Sequence, residues 1–160
     1  MMHIHLISVG KIKEKYMKQG IAEFEKRLQT YCKLTMVELA DEQAPEQLSE
    51  KDLQKVKDKE GARILGKVKE GDYVIALDVQ GIQWSSEQLA REIQKLSFQG
   101  KNKLVFVIGG SNGLSSEILK RANLKLSFSN MTFPHQLMKL ILLEQVYRAF
   151  KIQKREPYHK

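Results

Sequence analysis

The chain of 160 residues, with 42% hydrophobic and 29% charged residues, has the size and composition of a globular protein, which excludes a disordered or fibrous one. A single cysteine, Cys32, excludes an internal disulfide, and the lack of a long apolar run or a signal peptide predicts a cytoplasmic protein with no membrane span. The net charge of +8 is concentrated at the two ends, which suits nucleic-acid phosphates and equally suits a solvated basic surface without a partner.

Apolar runs rich in β-formers alternate with segments of helical period along the whole chain. The predicted elements are, in chain order, a strand at residues 4–9, a helix at 14–30, a strand at 34–39, a helix at 49–68, a strand at 73–79, a helix at 86–98, a strand at 104–108, a helix at 115–121, a strand at 124–128 and a helix at 134–153. This alternation predicts an α/β fold with a mainly parallel sheet and helices on both faces. No repeat or composition break divides residues 1–160, so we expect a single domain.

Capping residues mark the helix starts, with Ser49 and Ser86 as predicted caps and Pro134 before the last helix. That last helix is apolar around most of its circumference, which is more than one contact surface requires. We therefore expect it to pack on its own sheet and on a second subunit. Complete burial inside a monomer is the alternative.

The strongest local signal is the predicted strand at 105–108, which runs directly into Gly109, Gly110 and a third glycine, Gly113. Glycines at the carboxyl end of a strand let backbone N–H groups approach a ligand closely. The turn lacks both the GxGxxG pattern with its acidic partner and the lysine of a P-loop, so a nicotinamide-dependent enzyme is disfavoured. A tight connection without a ligand remains the alternative for this turn.

A second segment, residues 126–136, mixes hydroxyls, an amide and large apolar groups, which suits a pocket for an adenine and a thioether. Its alternative role is a loop whose hydroxyls only cap the last helix. The four histidines show no metal-binding spacing, so we predict no metal. In the basic tail, Tyr158 and His159 could stack on a base and handle a proton, whereas an ordinary tail would fray.

Four segments together resemble the RlmH family, ribosomal RNA large subunit methyltransferases of the SPOUT class. The segments are residues 9–16 (VGKIKEKY), 107–113 (VIGGSNG), 131–136 (MTFPHQ) and 157–159 (PYH). The resemblance covers the whole chain at matching spacings. It implies a trefoil knot near the C-terminus, a homodimer, and S-adenosylmethionine as the cofactor.

The resemblance also implies a substrate and a set of site residues. The substrate would be a pseudouridine of 23S ribosomal RNA, methylated at N3 in the assembled ribosome. The implied cofactor-binding residues are Leu77, Gly109, Phe128, Ser129, Asn130, Met131, Thr132 and Phe133.

For catalysis, the prediction is that Tyr158 and His159 reach across the dimer to the partner's cofactor, while Arg148 holds RNA phosphates. His159, a phosphate or water could accept the N3 proton. The basic segment at residues 11–18 is a further predicted RNA contact. Two other functions stay open: a ribosome-binding factor without catalytic activity, and a methyltransferase of the same class that acts on transfer RNA.

Overall fold

The computed structural model describes residues 1–160, in which ten elements alternate between strand and helix. In chain order they are β1 (His3–Val9), α1 (Lys15–Leu28), β2 (Lys33–Leu39), α2 (Glu50–Leu65), β3 (Tyr73–Gln83), α3 (Ser86–Phe98), β4 (Lys103–Ile108), α4 (Ser116–Arg121), β5 (Leu124–Ser127) and α5 (His135–Gln153). All ten elements predicted from the sequence are therefore present.

The five strands form one sheet in the order β2-β1-β4-β3-β5, and every pair in it is parallel. The central strand pairs put Leu6 beside both Met36 and Phe106. Because all strands run the same way, their carboxyl ends meet along one border, which we call the carboxyl edge of the sheet. The predicted parallel α/β architecture is confirmed.

Helices cover both faces of the sheet, as predicted. On one face α1, α3 and α5 pack over residues such as Leu6 and Phe106, both 1% exposed or less. On the other face α2 and α4 pack over Val107 through Ile64 and Ile118. Strand residues that alternate between two apolar layers explain why the strands read as continuous hydrophobic runs. No helix is long and apolar enough to cross a membrane.

Strand β3 runs four residues beyond its predicted end at 79. Its register against β5 is interrupted between Leu77 and Ile82, and pairing then resumes with Ile82 beside Leu126. Gly81 permits this close return, because a Cβ at its position would lie 2.6 Å from the backbone carbonyl of Lys125. The irregularity places a short loop of β3 at the carboxyl edge, where it forms part of the site.

Two local predictions about helix ends have different outcomes. Ser49 caps α2 as expected, since its hydroxyl accepts a hydrogen bond from the Asp52 backbone N–H at 3.1 Å. The cap of α3 is Ser85 rather than Ser86, because Ser85 and Gln88 form a reciprocal capping box. Ser86 instead donates its hydroxyl proton to Gln145 of α5.

Helix α5 buries most of its apolar side chains within its own chain, between α1 and α3. Val146 and Ala149 are fully buried, and even Lys139 is only 3% exposed, where its Nζ lies 3.4 Å from a carboxylate oxygen of Glu38. Contacts inside one chain therefore account for much of the helix's unusual hydrophobicity. The homodimer and the trefoil knot stay predictions.

Candidate active site

A cavity of about 720 Å³ opens at the carboxyl edge, where β3, β4 and β5 end. Seven of the eight predicted cofactor-binding residues line it: Leu77, Gly109, Phe128, Ser129, Met131, Thr132 and Phe133. The eighth, Asn130, does not line the cavity, because its side chain turns to β3 and accepts a hydrogen bond from Gln83 at 2.8 Å. The structure thus brings together segments that are separated by more than 50 residues in the chain.

The glycine turn after β4 forms one wall of the cavity. It closes through a hydrogen bond from the Gly113 N–H to the Gly110 carbonyl at 3.0 Å, and Gly113 has a φ of +87° that favours glycine. A Cβ at Gly109 would lie 2.9 Å from Leu114. Glycine at these positions lets the turn fold tightly and leaves its backbone facing the cavity.

The loop between β5 and α5 forms the facing wall, and its hydroxyls stabilise the loop itself. Ser127 donates to the Ser129 carbonyl at 2.9 Å, and the Ser129 hydroxyl accepts from the Met131 N–H at 3.0 Å. Helix α5 begins after Pro134 without any side-chain cap. The alternative that these hydroxyls only cap the last helix is therefore wrong.

Two side chains with opposite formal charges, Lys57 and Asp78, line the cavity, and neither was predicted from the sequence. Lys57 reaches in from α2 and makes no ion pair. Asp78 lies within the bend of β3 and accepts a long hydrogen bond from the Gln80 N–H at 3.3 Å. His135 also lines the cavity, packed against Gly10. No sequence signal links α2 to the glycine turn, because the two lie about 50 residues apart.

A buried carboxyl group of α2 lies next to the glycine turn. Glu60 of α2 is 3% exposed, and one of its oxygens accepts a hydrogen bond from the Glu42 N–H at 2.9 Å. The other oxygen has no hydrogen-bond partner and lies 3.6 Å from where a Cβ on Gly110 would stand. Burial raises the pKa of Glu60 above its ordinary value.

The three predicted catalytic residues meet at the other end of α5. The Arg148 guanidinium donates to the His159 Nδ1 at 3.0 Å and lies over the Tyr158 ring, 4.9 Å from its centre. Two carboxylates complete the group, which we call the tail cluster: Glu87, Glu144, Arg148, Tyr158 and His159.

Glu144 holds the tail cluster together. Its carboxylate accepts two hydrogen bonds from Arg148, at 3.1 and 2.6 Å, and one from the Tyr158 hydroxyl at 2.9 Å. Burial alone would raise the pKa of Glu144, but the hydrogen bonds from Arg148 and Tyr158 outweigh burial and lower it. The pKa of Tyr158 is raised by burial and by the same carboxylate, so Tyr158 stays protonated and donates.

The tail itself is ordered rather than frayed. The Glu156 carboxylate accepts hydrogen bonds from Tyr31 at 2.8 Å and from Lys151 at 3.2 Å, and the Tyr158 ring packs edge-on against Tyr147. Arg155 turns the chain with a φ of +54°. These contacts fix Tyr158 and His159 on the surface of α5.

None of the three tail residues lines the cavity of its own chain. Between the cavity and the tail cluster lies a second, smaller groove of about 340 Å³, which shares Leu126, Phe128 and Phe133 with the cavity. Its other end reaches Gln145, whose amide donates to Glu144 of the tail cluster at 3.2 Å. Cavity and tail cluster are thus neighbouring but separate features.

Comparison with known proteins identifies the class. The family model described as "Predicted SPOUT methyltransferase" matches residues 2–159. The chain belongs to the SPOUT methyltransferase family. Two relatives, both named ribosomal RNA large subunit methyltransferase H, come from Bacillus pumilus (strain SAFR-032) and Clostridioides difficile (strain 630), with 62% and 59% identity over 159 residues. Each alignment covers 99% of this chain and 100% of the relative.

A solved structure shares the fold of this methyltransferase. A probable methylase family protein from Haemophilus influenzae Rd KW20 aligns with a TM-score of 0.54 and 14% identity, covering 98% of this chain and 70% of that one. Family membership confirms the predicted resemblance, the reaction class of methyl transfer, and S-adenosylmethionine as the cofactor.

The cavity fits that cofactor in size and chemistry. Sites for ligands of this size measure about 300–1,000 Å³ and combine apolar walls with a few polar groups. Here Leu77, Phe128 and Phe133 offer apolar surface, and the glycine turn offers backbone groups at close range. Lys57 and Asp78 supply one positive and one negative charge, which match a ligand with a carboxylate, an ammonium and a sulfonium.

Proposed function

We propose that this methyltransferase transfers a methyl group from S-adenosylmethionine to N3 of a pseudouridine in 23S ribosomal RNA, within the assembled ribosome in the cytoplasm. The observation that carries the proposal is the cavity at the carboxyl edge, built by the glycine turn and the loop at residues 128–133. The full-length relatives named as large subunit methyltransferases supply the substrate class. A basic chain with a net charge of +8 suits such a substrate.

The reaction needs positioning more than activation. The cofactor supplies an activated methyl group on its sulfonium, and the N3 imide must lose a proton as it receives that group. The protein's task is to hold the base against the cavity mouth with its N3 directed inward. Tyr158 offers a ring for stacking on the base, and Arg148 offers donors for an adjacent phosphate.

The hydrogen bonds of His159 determine whether its side chain can accept the N3 proton. A guanidinium can only donate, so Arg148 requires Nδ1 of His159 to be the acceptor and places the ring proton on Nε2. Nε2 then donates to the Glu87 carboxylate. His159 has no free acceptor nitrogen in this arrangement, and it accepts a proton only after Nδ1 leaves Arg148. Water and a substrate phosphate remain the other acceptors in the proposal.

We place the complete site between two subunits. The tail cluster lies outside the cavity of its own chain, so Tyr158 and His159 act on a cofactor only if another subunit brings its cavity to them. The proposed homodimer supplies that cavity. A site shared in this way also explains why a short tail is fixed by so many contacts.

Mixing two inactive variants tests the proposed function and the shared site together. A tail variant, Tyr158→Ala with His159→Ala, keeps its cavity, and Thr132→Trp fills the cavity while keeping the tail. After subunit exchange, mixed dimers contain one intact site, so label transfer from S-adenosylmethionine to ribosomes should return to about a quarter of the wild-type rate. A mixture as inactive as either variant alone would contradict the shared site.

The single variant His159→Ala distinguishes a role of the tail in turnover from a role in cofactor binding. We expect it to lower turnover strongly while largely retaining cofactor binding, because all the residues that line the cavity are left intact. Full turnover of this variant on ribosomes would remove His159 from the mechanism.

A further inference from the structure

Lys57 is the one lysine or arginine that lines the cavity, and the proposed mechanism gives it no task. It stands on α2, half-buried, with its Nζ 4.0 Å from where a Cβ on Gly113 would lie. The structure gives it no ion pair and no hydrogen-bonded acceptor, although 19 acidic residues are present in the chain. An ammonium in this position is free to bind a ligand in the cavity.

The surroundings of Lys57 favour an anionic partner. The glycine turn beside it has backbone groups close to the cavity, and most of the apolar side chains that would suit an adenine belong to other segments, at Leu77, residues 126–133 and Met138. A carboxylate that enters a largely apolar cavity needs a charged or hydrogen-bonding partner there. Lys57 together with the turn provides both.

We propose that Lys57 binds the α-carboxylate of the methyl donor at the glycine turn, and so makes the cavity selective for a ligand with an intact amino-acid end. The inference rests on the proposed function for the identity of the donor. It adds a specificity-determining residue and the group on the ligand that this residue recognises. Asp78, the other charged side chain that lines the cavity, is available to bind the positively charged groups of the same ligand.

The partner could instead be a phosphate of the RNA, and the two cases differ in a measurable way. If Lys57 binds the donor's carboxylate, its loss weakens binding of the free cofactor in the absence of any RNA. If it binds RNA, cofactor binding to the isolated protein is unchanged. We favour the carboxylate because Lys57 lies against the turn inside the cavity, whereas the other three lysines of α2 are exposed and do not line it.

Calorimetry with a matched pair of ligands tests the inference. The ligands are S-adenosylhomocysteine and its decarboxylated analogue, which differ only in the carboxylate. Wild-type protein should bind the first about tenfold more tightly, the preference typical of a partly exposed charge-assisted hydrogen bond. Lys57→Met should lose that preference through weaker binding of S-adenosylhomocysteine alone. Lys57→Arg should retain most of it, and the exposed control Lys59→Met should behave as wild type.

Each other result has a distinct meaning. An unchanged preference in Lys57→Met overturns the inference, and weaker ribosome binding by that variant would then assign Lys57 to RNA. An equal loss of affinity for both ligands also overturns it, since that result indicates a structural role. If wild-type protein binds neither ligand, the proposed function fails, and the inference fails with it.

Discussion

The Glu144 carboxylate positions the side chains that we propose contact the RNA. Glu144 accepts four hydrogen bonds, two from Arg148, one from Tyr158 and one from Gln145. Arg148 in turn donates to His159. In the proposed mechanism Glu144 is therefore a positioning residue, because it contacts Arg148 and Tyr158 rather than the substrate. The arrangement also makes the cluster sensitive to acid.

Glu144→Gln should lower both turnover and stability. Because the pKa of Glu144 is lowered in the folded protein, its charged form contributes stability above the ordinary glutamate pKa, and this contribution is lost as pH falls through the folded-state pKa. We expect a loss of about 1 kcal/mol at neutral pH, measured by urea unfolding. The difference from wild type should disappear in acid, and the exposed control Glu70→Gln should show no such pattern.

Glu60→Gln should have the opposite effect on stability. Burial raises the pKa of Glu60 in the folded protein. The contribution of Glu60 to the free energy of unfolding is therefore greatest below the ordinary glutamate pKa, and it is lost as pH rises through the folded-state pKa. The variant removes this buried charge and should gain about 1 kcal/mol at mildly alkaline pH. Urea unfolding across the pH range checks this, with Glu46→Gln as an exposed control; a less stable variant at alkaline pH would contradict it.

At the residue level, seven of the eight residues that the resemblance implies for cofactor binding line the cavity, and Asn130 is the exception. That these residues bind the cofactor stays a prediction. Asn130 lies within the right loop, but its side chain direction depends on Gln83 of a distant strand. Lys57 and Asp78 were missed for a similar reason. Their place in the cavity follows from packing between α2, β3 and the glycine turn, which local sequence does not encode.

Among the elements, the bend in β3 controls the shape of the cavity. The strand leaves its register after Leu77, returns at Ile82, and the residues between them form part of the cavity wall. Apolar periodicity predicted the start of β3 and all its neighbours. It could not predict the extension to Gln83, because that pairing depends on contact with β5, about 45 residues further along.

Gly81→Ala should disturb this bend. The added Cβ would lie 2.6 Å from the Lys125 backbone, which cannot move as easily as a side chain. Overpacking of this kind costs about 1–3 kcal/mol, and the shift of β5 should also weaken binding of S-adenosylhomocysteine. Gly71→Ala is the matched control, because nothing lies within 4 Å of its Cβ position. Equal stability of the two variants would contradict the role of Gly81.

At the scale of the whole molecule, the fold brings the basic N-terminal segment to the carboxyl edge of the sheet, where the cavity opens. Lys11 and Lys13 are exposed in the loop after β1, at the carboxyl edge, next to the Gly10 that packs on His135 of the cavity. Charge and spacing predicted a basic segment, but its closeness to the cavity depends on the strand order. Connection order of this kind, like the predicted knot, lies beyond what periodicity encodes.

Charge reversal at Lys11 and Lys13 should weaken ribosome binding and reduce its dependence on salt, since each lost phosphate contact lowers the slope by about one. Binding titrations at several salt concentrations measure both effects. Reversal of Lys101, an exposed lysine in the loop before β4 at the opposite edge, is the control. Unchanged affinity and slope would show that the N-terminal segment does not contact RNA.

The most direct measurement is methyl transfer from labelled S-adenosylmethionine to whole ribosomes, separate large subunits and free ribosomal RNA that lack the modification. The product nucleoside is then identified by mass spectrometry. We expect label on N3 of one pseudouridine of 23S ribosomal RNA, with whole ribosomes as the best substrate. Tight ribosome binding without transfer to any of the three substrates would contradict it and favour a binding factor without catalytic activity.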